Sequence, residues 1–178
     1  MEAGLGVELP QRTPFVWALV AMAALFAVPC VRMVAAAAGE HGSAALGGWA
    51  MAVVMTLVVV VLPLFLARHI QQRHTYVSEE AVTWVQGDEV RRRMRFADVE
   101  EVRVRFGGPG GFDWLNEKVY LIGTLGDGSR GHVIVNRVFN TTIQPVLQRL
   151  AVEVERRPAL LADDTERAFF ADALTQAD

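Results

Sequence analysis

Residues 75–106 read TYVSEEAVTWVQGDEVRRRMRFADVEEVRVRF. Apolar side chains recur here at every second position, in short runs broken by turn residues, which is the period of a half-buried strand and not of a helix. Val90, Met94 and Phe96 fall on one face against Arg91, Arg93 and Arg95 on the other, and Val102, Val104 and Phe106 oppose Glu101, Arg103 and Arg105. Each strand then has a core face and a wet face, as antiparallel sheets allow. Ser78-Glu79-Glu80, Gly87-Asp88 and Ala97-Asp98 separate the runs and supply turn chemistry.

Toward the C-terminus the glycine-rich Gly107–Gly111 is followed by Lys118–Thr124, the turn Gly126-Asp127-Gly128 and Arg130–Val135. With Tyr76-Val77 this makes six strands in meander order. Thr142 is placed to cap a helix that tolerates Pro145 in its first turn, and Ile143, Val146, Leu147, Leu150 and Val154 form one apolar stripe. Such a helix buries its stripe on the sheets, closing the open end of a sandwich or barrel. Beyond Pro158 the acids dominate. Phe169, Phe170 and Leu174 suggest a short helix starting at Asp163 or Asp164, with the last residues loose.

Toward the N-terminus the material changes. Residues 1–67 hold only five of the 37 Asp, Glu, Lys and Arg residues in this chain of 178. Phe15–Val31 and Ala44–Ala67 carry no charge, and each is long enough for a spanning helix. Only Gly39–Ser43 connects them, so the two helices run antiparallel as neighbours. A cleaved signal peptide competes for the first span, because Ala35–Ala38 offers a cleavage site, but the apolar run exceeds the usual length. Arg12 before the hairpin and Arg68 and Arg73 after it, against a connecting loop without Lys or Arg, place both termini in the cytoplasm. Arg32 is expected to snorkel to the far interface or to pair with Glu40. Pro29 and Pro63 should kink the spans.

The net charge of -3 argues against a nucleic-acid binder. Cys30 is the only cysteine and lies in the first span, so the sequence offers no disulfide and no thiolate site. His41, His69, His74 and His132 have no ligand spacing, and His69 and His74 read as residues of the lipid interface. Gly107–Gly111 lacks the Lys-Ser/Thr of a phosphate loop and reads as a flexible connection. No nucleophile, base and orienting group fall together, so neither an enzyme nor a cofactor is expected. The sequon Asn140-Thr141-Thr142 is read as helix capping.

Two features invite binding. Arg91, Arg93, Arg95, Arg103 and Arg105 on neighbouring strands form a basic face for anionic headgroups or an acidic partner, unless Glu89, Asp98, Glu100 and Glu101 pair with them across strands. Phe112 and Trp114 follow the glycine-rich loop and can cover a partner, dip into lipid or close the sandwich.

The two helices followed by residues 75–106 and by EKVYLIGTLGDGSRGHVIVNRVFNTTIQPVLQRL resemble the bacterial pleckstrin-homology-like membrane proteins of the YcxB-like type. The likeness rests on the Ser78-Glu79-Glu80-Ala81 turn, Phe96-Ala97-Asp98-Val99 and the Arg137-Val138-Phe139 step, and covers roughly residues 15–152. It implies an α+β fold: a transmembrane hairpin, then a pleckstrin-homology-like antiparallel sandwich or barrel closed by a helix. That fold has seven strands where six are counted here. The expected parts are a cytoplasmic segment 1–14, a hairpin 15–67 (15–38 and 44–67), a domain 73–156, and an acidic tail 157–178 with its short helix. Phosphoinositide binding is not implied, because the first hairpin turn is acidic. The expected role is a non-enzymatic, multi-pass inner-membrane module. Its partners are the bilayer, a membrane protein and, as an open option, a second copy of the chain, with no nucleic acid. The alternative is a ligand- or lipid-sensing accessory subunit.

Overall fold

The computed structural model describes residues 5–105 and 117–175, with the backbone alone at positions 43 and 44. The chain forms two compact units, one of Thr13–Gln71 and the other of Met1–Arg12 with Gln72–Asp178. It is an α+β protein in which two apolar helices lead into antiparallel sheets.

In the first unit α1 spans Thr13–Gly39. The second helix is built from α2 (Ser43–Thr56), a wide π-helical turn (Leu57–Val61) and α3 (Leu62–Gln71). Thr13–Gly39 and Ala45–Gln71 are 27 residues each, about 40 Å at 1.5 Å per residue, so both are long and apolar enough to cross a bilayer. Val16, Ala23, Cys30 and Ala37, seven residues apart, are the buried positions of α1. Mostly small side chains at a heptad spacing let α1 pack closely along α2 and α3. The large apolar side chains point outward. Apart from Val7, Val90 and Phe169, the exposed large hydrophobics among the described residues lie between Trp17 and Leu66. Pro63 has no N–H to donate and crowds the Val59 carbonyl, and the π-helical turn that opens the ladder lies just before it. Pro29 sits inside the uninterrupted α1. Arg32 is exposed and forms no ion pair with Glu40.

In the second unit the strands are β1 (Val7–Glu8), β2 (Arg73–Val77), β3 (Ala81–Gln86), β4 (Glu89–Arg95), β5 (Val99–Arg105), β6 (Lys118–Thr124) and β7 (Arg130–Asn136). The sheets are separate, in orders β1-β2-β3-β4 and β5-β6-β7, and do not close into a barrel. Strands β2–β7 are the six expected from the alternation. The seventh comes from before the hairpin: Val7 pairs with Val77 and Glu8 with Tyr76. Gly6 permits this approach, since its φ of 92° suits glycine and a Cβ there would collide with the Val77 carbonyl. The N-terminal segment continues along the domain. Arg12 N–H donates to the Phe139 carbonyl at 2.9 Å and Thr141 N–H to the Pro10 carbonyl at 2.7 Å. Residues 5–12 thus belong to the sandwich, and Leu9 is 1% exposed in its core.

That core takes Val82, Met94 and Phe96 from the first sheet and Val102, Val104, Leu121 and Val133 from the second. Helix α4 (Gln144–Arg156) lays Val146, Leu147 and Leu150 on it, and Thr142 Oγ1 accepts from the Gln144 N–H at 3.1 Å. The chain beyond Pro158 is not a tail appended to the domain. Leu160 and Leu161, then Phe170 and Ala173 of α5 (Asp164–Thr175), are buried in the same core. Leu161 also makes a parallel bridge to Val102, which covers the outer edge of β5 with the segment that precedes the C-terminal helix. Asn140 is 3% exposed and its side-chain amide donates to the Asn136 carbonyl at 3.0 Å, a structural use of the sequon.

Candidate functional site

The five arginines expected on one face are divided between the two sheets. β4 is the last strand of the first sheet and β5 the first strand of the second, the two do not pair, and the turn Phe96–Asp98 joins them. Alternation could place these side chains outward but not count the sheets. All five are exposed. Arg91 pairs with Glu89 at 3.0 Å and Arg103 with Glu101 at 2.5 Å, each partner two residues back on the same strand. The pairing is therefore along strands and not across them, and exposed pairs of this kind contribute little to stability. The Glu101 carboxylate raises the pKa of Arg103, through the hydrogen bond first and the charge second. Arg93, Arg95 and Arg105 have no ion pair among the described residues. Arg95 lines a cleft of about 350 Å³ with Glu79, Glu80, Glu153 and a second arginine, Arg149. Phe112 and Trp114 lie outside the described residues.

His74 is not left to lipid. Its Nδ1 lies 2.5 Å from Glu8 Oε1 and 3.2 Å from Gln11 Nε2, tying β1 and the segment after it to β2.

A second group of side chains is more enclosed. In β4 Arg92 stands on the core-facing stripe with Met94, whereas Val90, expected on that face, lies beyond a register shift opposite Val85 and is 50% exposed. The register places Arg92 beside Trp84 and Trp84 beside Thr75, while Arg73 opens the same stripe of β2. The Arg73 guanidinium is held between two aromatic rings, 4.5 Å from the Trp84 centroid and 4.2 Å from that of Phe139. Arg92 approaches the same indole at 5.8 Å. Each also reaches the second sheet: Arg92 Nη1 donates to the His132 carbonyl at 2.7 Å, and Arg73 Nη2 to that of Ile134 at 3.4 Å. Neither guanidinium has a carboxylate partner among the described residues. Burial, and then the like charge of Arg92, lower the Arg73 pKa to about 10, so it remains a cation at neutral pH. The buried Arg73 Nε and Trp84 Nε1 have no hydrogen-bond partner among the described residues. A desolvated N–H without an acceptor costs about 1–3 kcal/mol. The sequence reading treated Arg73 only as a flank of the hairpin. The signal for the cluster was Arg92 itself, an arginine at an inward position of an alternating strand.

Elsewhere the charges are structural. Glu153 is 9% exposed and pairs with Arg157 at 3.2 Å. Arg157 in turn donates to the carbonyls of Phe96 (2.7 Å), Ala97 (3.0 Å) and Val99 (3.1 Å), holding the corner between β4 and β5.

Searches against protein-family models, curated proteins and solved structures found no match to this chain.

Proposed function

We propose that this chain is a membrane-anchored, non-enzymatic interaction module that binds a protein partner at the inner face of the cell membrane. The observation that carries the anchoring is the pairing of β1 with β2 across the hairpin. Strands on opposite sides of a bilayer cannot share a ladder, so if Thr13–Gly39 and Ala45–Gln71 cross it, the segment before them and the domain after them lie on one side. Arg12, Arg68 and Arg73, against a connecting loop without Lys or Arg, select the cytoplasm. The outward-facing large hydrophobics of the hairpin support insertion, because a water-soluble surface rarely carries so continuous an apolar patch. Seven antiparallel strands in a four-plus-three arrangement, followed by a helix on the core, support the pleckstrin-homology-like reading of the domain.

The contact surface on this reading is the exposed Arg91, Arg93 and Arg95 row of β4, with Arg103 and Arg105 as a separate row on β5. Affinity capture from native membranes tests it, comparing the whole protein with an Arg91/Arg93/Arg95→Ala triple variant. A stoichiometric protein retained by the first and lost by the second is expected. Retention of every partner by the variant would return the row to an ordinary solvated face. The second reading, a ligand- or lipid-sensing accessory subunit, is favoured by the half-buried Arg73 and Arg92 gathered on the Trp84 ring, neither with an ion pair among the described residues.

A further inference from the structure

We infer that Arg73, Arg92 and Trp84 form a binding site for a phosphate oxyanion. Two guanidinium groups gathered on one indole, with no carboxylate partner among the described residues, are an unusual use of a core-facing stripe, since buried charges are ordinarily paired. The Arg73 pKa, lowered in part by Arg92, records that repulsion. The Arg73 Nε and the Trp84 Nε1 are buried donors without acceptors among the described residues. A tetrahedral anion meets each of these needs: it neutralises the pair, accepts from a guanidinium in a bidentate fork, and gives the indole N–H an oxygen. The aromatic rings on either side of Arg73 hold its plane and limit the rotamers it must lose on binding. The site lies at the opposite end of β2 from the acidic Ser78-Glu79-Glu80 turn, so those carboxylates do not oppose the anion there.

Two sources carry this chemistry, the phosphodiester of an anionic lipid headgroup and free phosphate. Arg73 follows the last residue of α3, Gln71, by two positions, at most about 7 Å of backbone. A headgroup beside the hairpin is therefore within reach of the chain. Only this choice of source rests on the membrane-anchored reading.

The test uses the full chain in uncharged detergent micelles, with the thermal unfolding midpoint read against added short-chain phosphatidylglycerol, short-chain phosphatidylcholine or inorganic phosphate. A ligand that binds only the folded state raises the midpoint in proportion to its occupancy. Phosphatidylglycerol is expected to raise it, and Arg92→Gln to require at least about tenfold more lipid for the same rise. Arg130→Gln, an exposed arginine paired with Glu100, should respond as the wild type. If Arg92→Gln folds poorly, Trp84→Phe keeps a ring under Arg73, deletes the indole donor, and should weaken the response several-fold. A rise with inorganic phosphate equal to that with phosphatidylglycerol assigns the site to free phosphate, and a rise with phosphatidylglycerol alone assigns it to the headgroup. An equal rise with phosphatidylcholine, no rise with any ligand, or an unchanged response in Arg92→Gln overturns the site. The anchoring reading fails by a different measurement, release of the protein from native membranes by alkaline carbonate.

Discussion

The Glu166 carboxylate accepts a hydrogen bond from the backbone N–H of Val104 at 2.9 Å. A side chain from α5 thereby fills a ladder position on the outer edge of β5, beside the Leu161–Val102 bridge. Unpaired strand edges invite other strands, and the acidic C-terminal segment removes this one. Glu166→Ala should destabilise the domain by about 1–2 kcal/mol, whereas Glu166→Gln, which keeps an acceptor oxygen, should lose less than half as much. Amide hydrogen exchange at Val104 checks the cause: exchange should accelerate in the alanine variant and stay near wild type in the glutamine variant.

Leu9 and Leu150 come from opposite ends of the chain and are 1% and 0% exposed in one core. Leu9→Asp and Leu150→Asp each bury a carboxylate without a partner, at several kcal/mol, enough to unfold a domain of ordinary stability. Val7, at 73% exposure, should tolerate Val7→Thr. Limited proteolysis of the full chain in detergent separates the cases. A folded, protease-resistant Leu9→Asp protein would show that the N-terminal segment is dispensable to the sandwich.

Arg157 reaches three carbonyls at the β4–β5 corner and Glu153 besides. A lysine has the charge but not the fork, so Arg157→Lys should cost about 2 kcal/mol. Denaturant unfolding measures it. A loss no greater than that of Arg156→Lys, whose pair with Glu153 is long at 3.7 Å, would mean the carbonyl contacts contribute nothing.

A periplasmic reporter fused after Asp178 should be inactive, and one inserted at Gly42 active. Activity after Asp178 would overturn the two-span arrangement and revive a cleaved first segment.

The strands β2–β7 were legible because each carries its own alternation and its own turn. β1 was not: two residues have no period, and its partner lies about 70 positions away, so only the pairing itself reveals it. The C-terminal helix was visible, but its burial was not, since Asp163, Asp164 and Glu166 near its start weigh toward solvent while Phe170 and Ala173 do the packing. The arginine rows were legible as outward-facing and were wrongly joined, because adjacency in sequence across Phe96–Asp98 conceals a change of sheet. Arg73 and Arg92 were missed for the converse reason: a long cationic side chain at an inward position contradicts the stripe it stands on.

The clasp between β1 and β2 also sets an order of events during synthesis. Residues 7 and 8 leave the ribosome about 70 residues before their partners, several seconds at about 5–20 residues per second. Closing a flexible loop of that length costs about 4 kcal/mol of chain entropy. If the helical hairpin inserts in a bilayer, it brings its two ends back together before the ladder forms, and much of that cost falls on insertion. On that reading insertion comes first and the first strand waits for it, so the hairpin would act as a folding template for the domain as well as its tether.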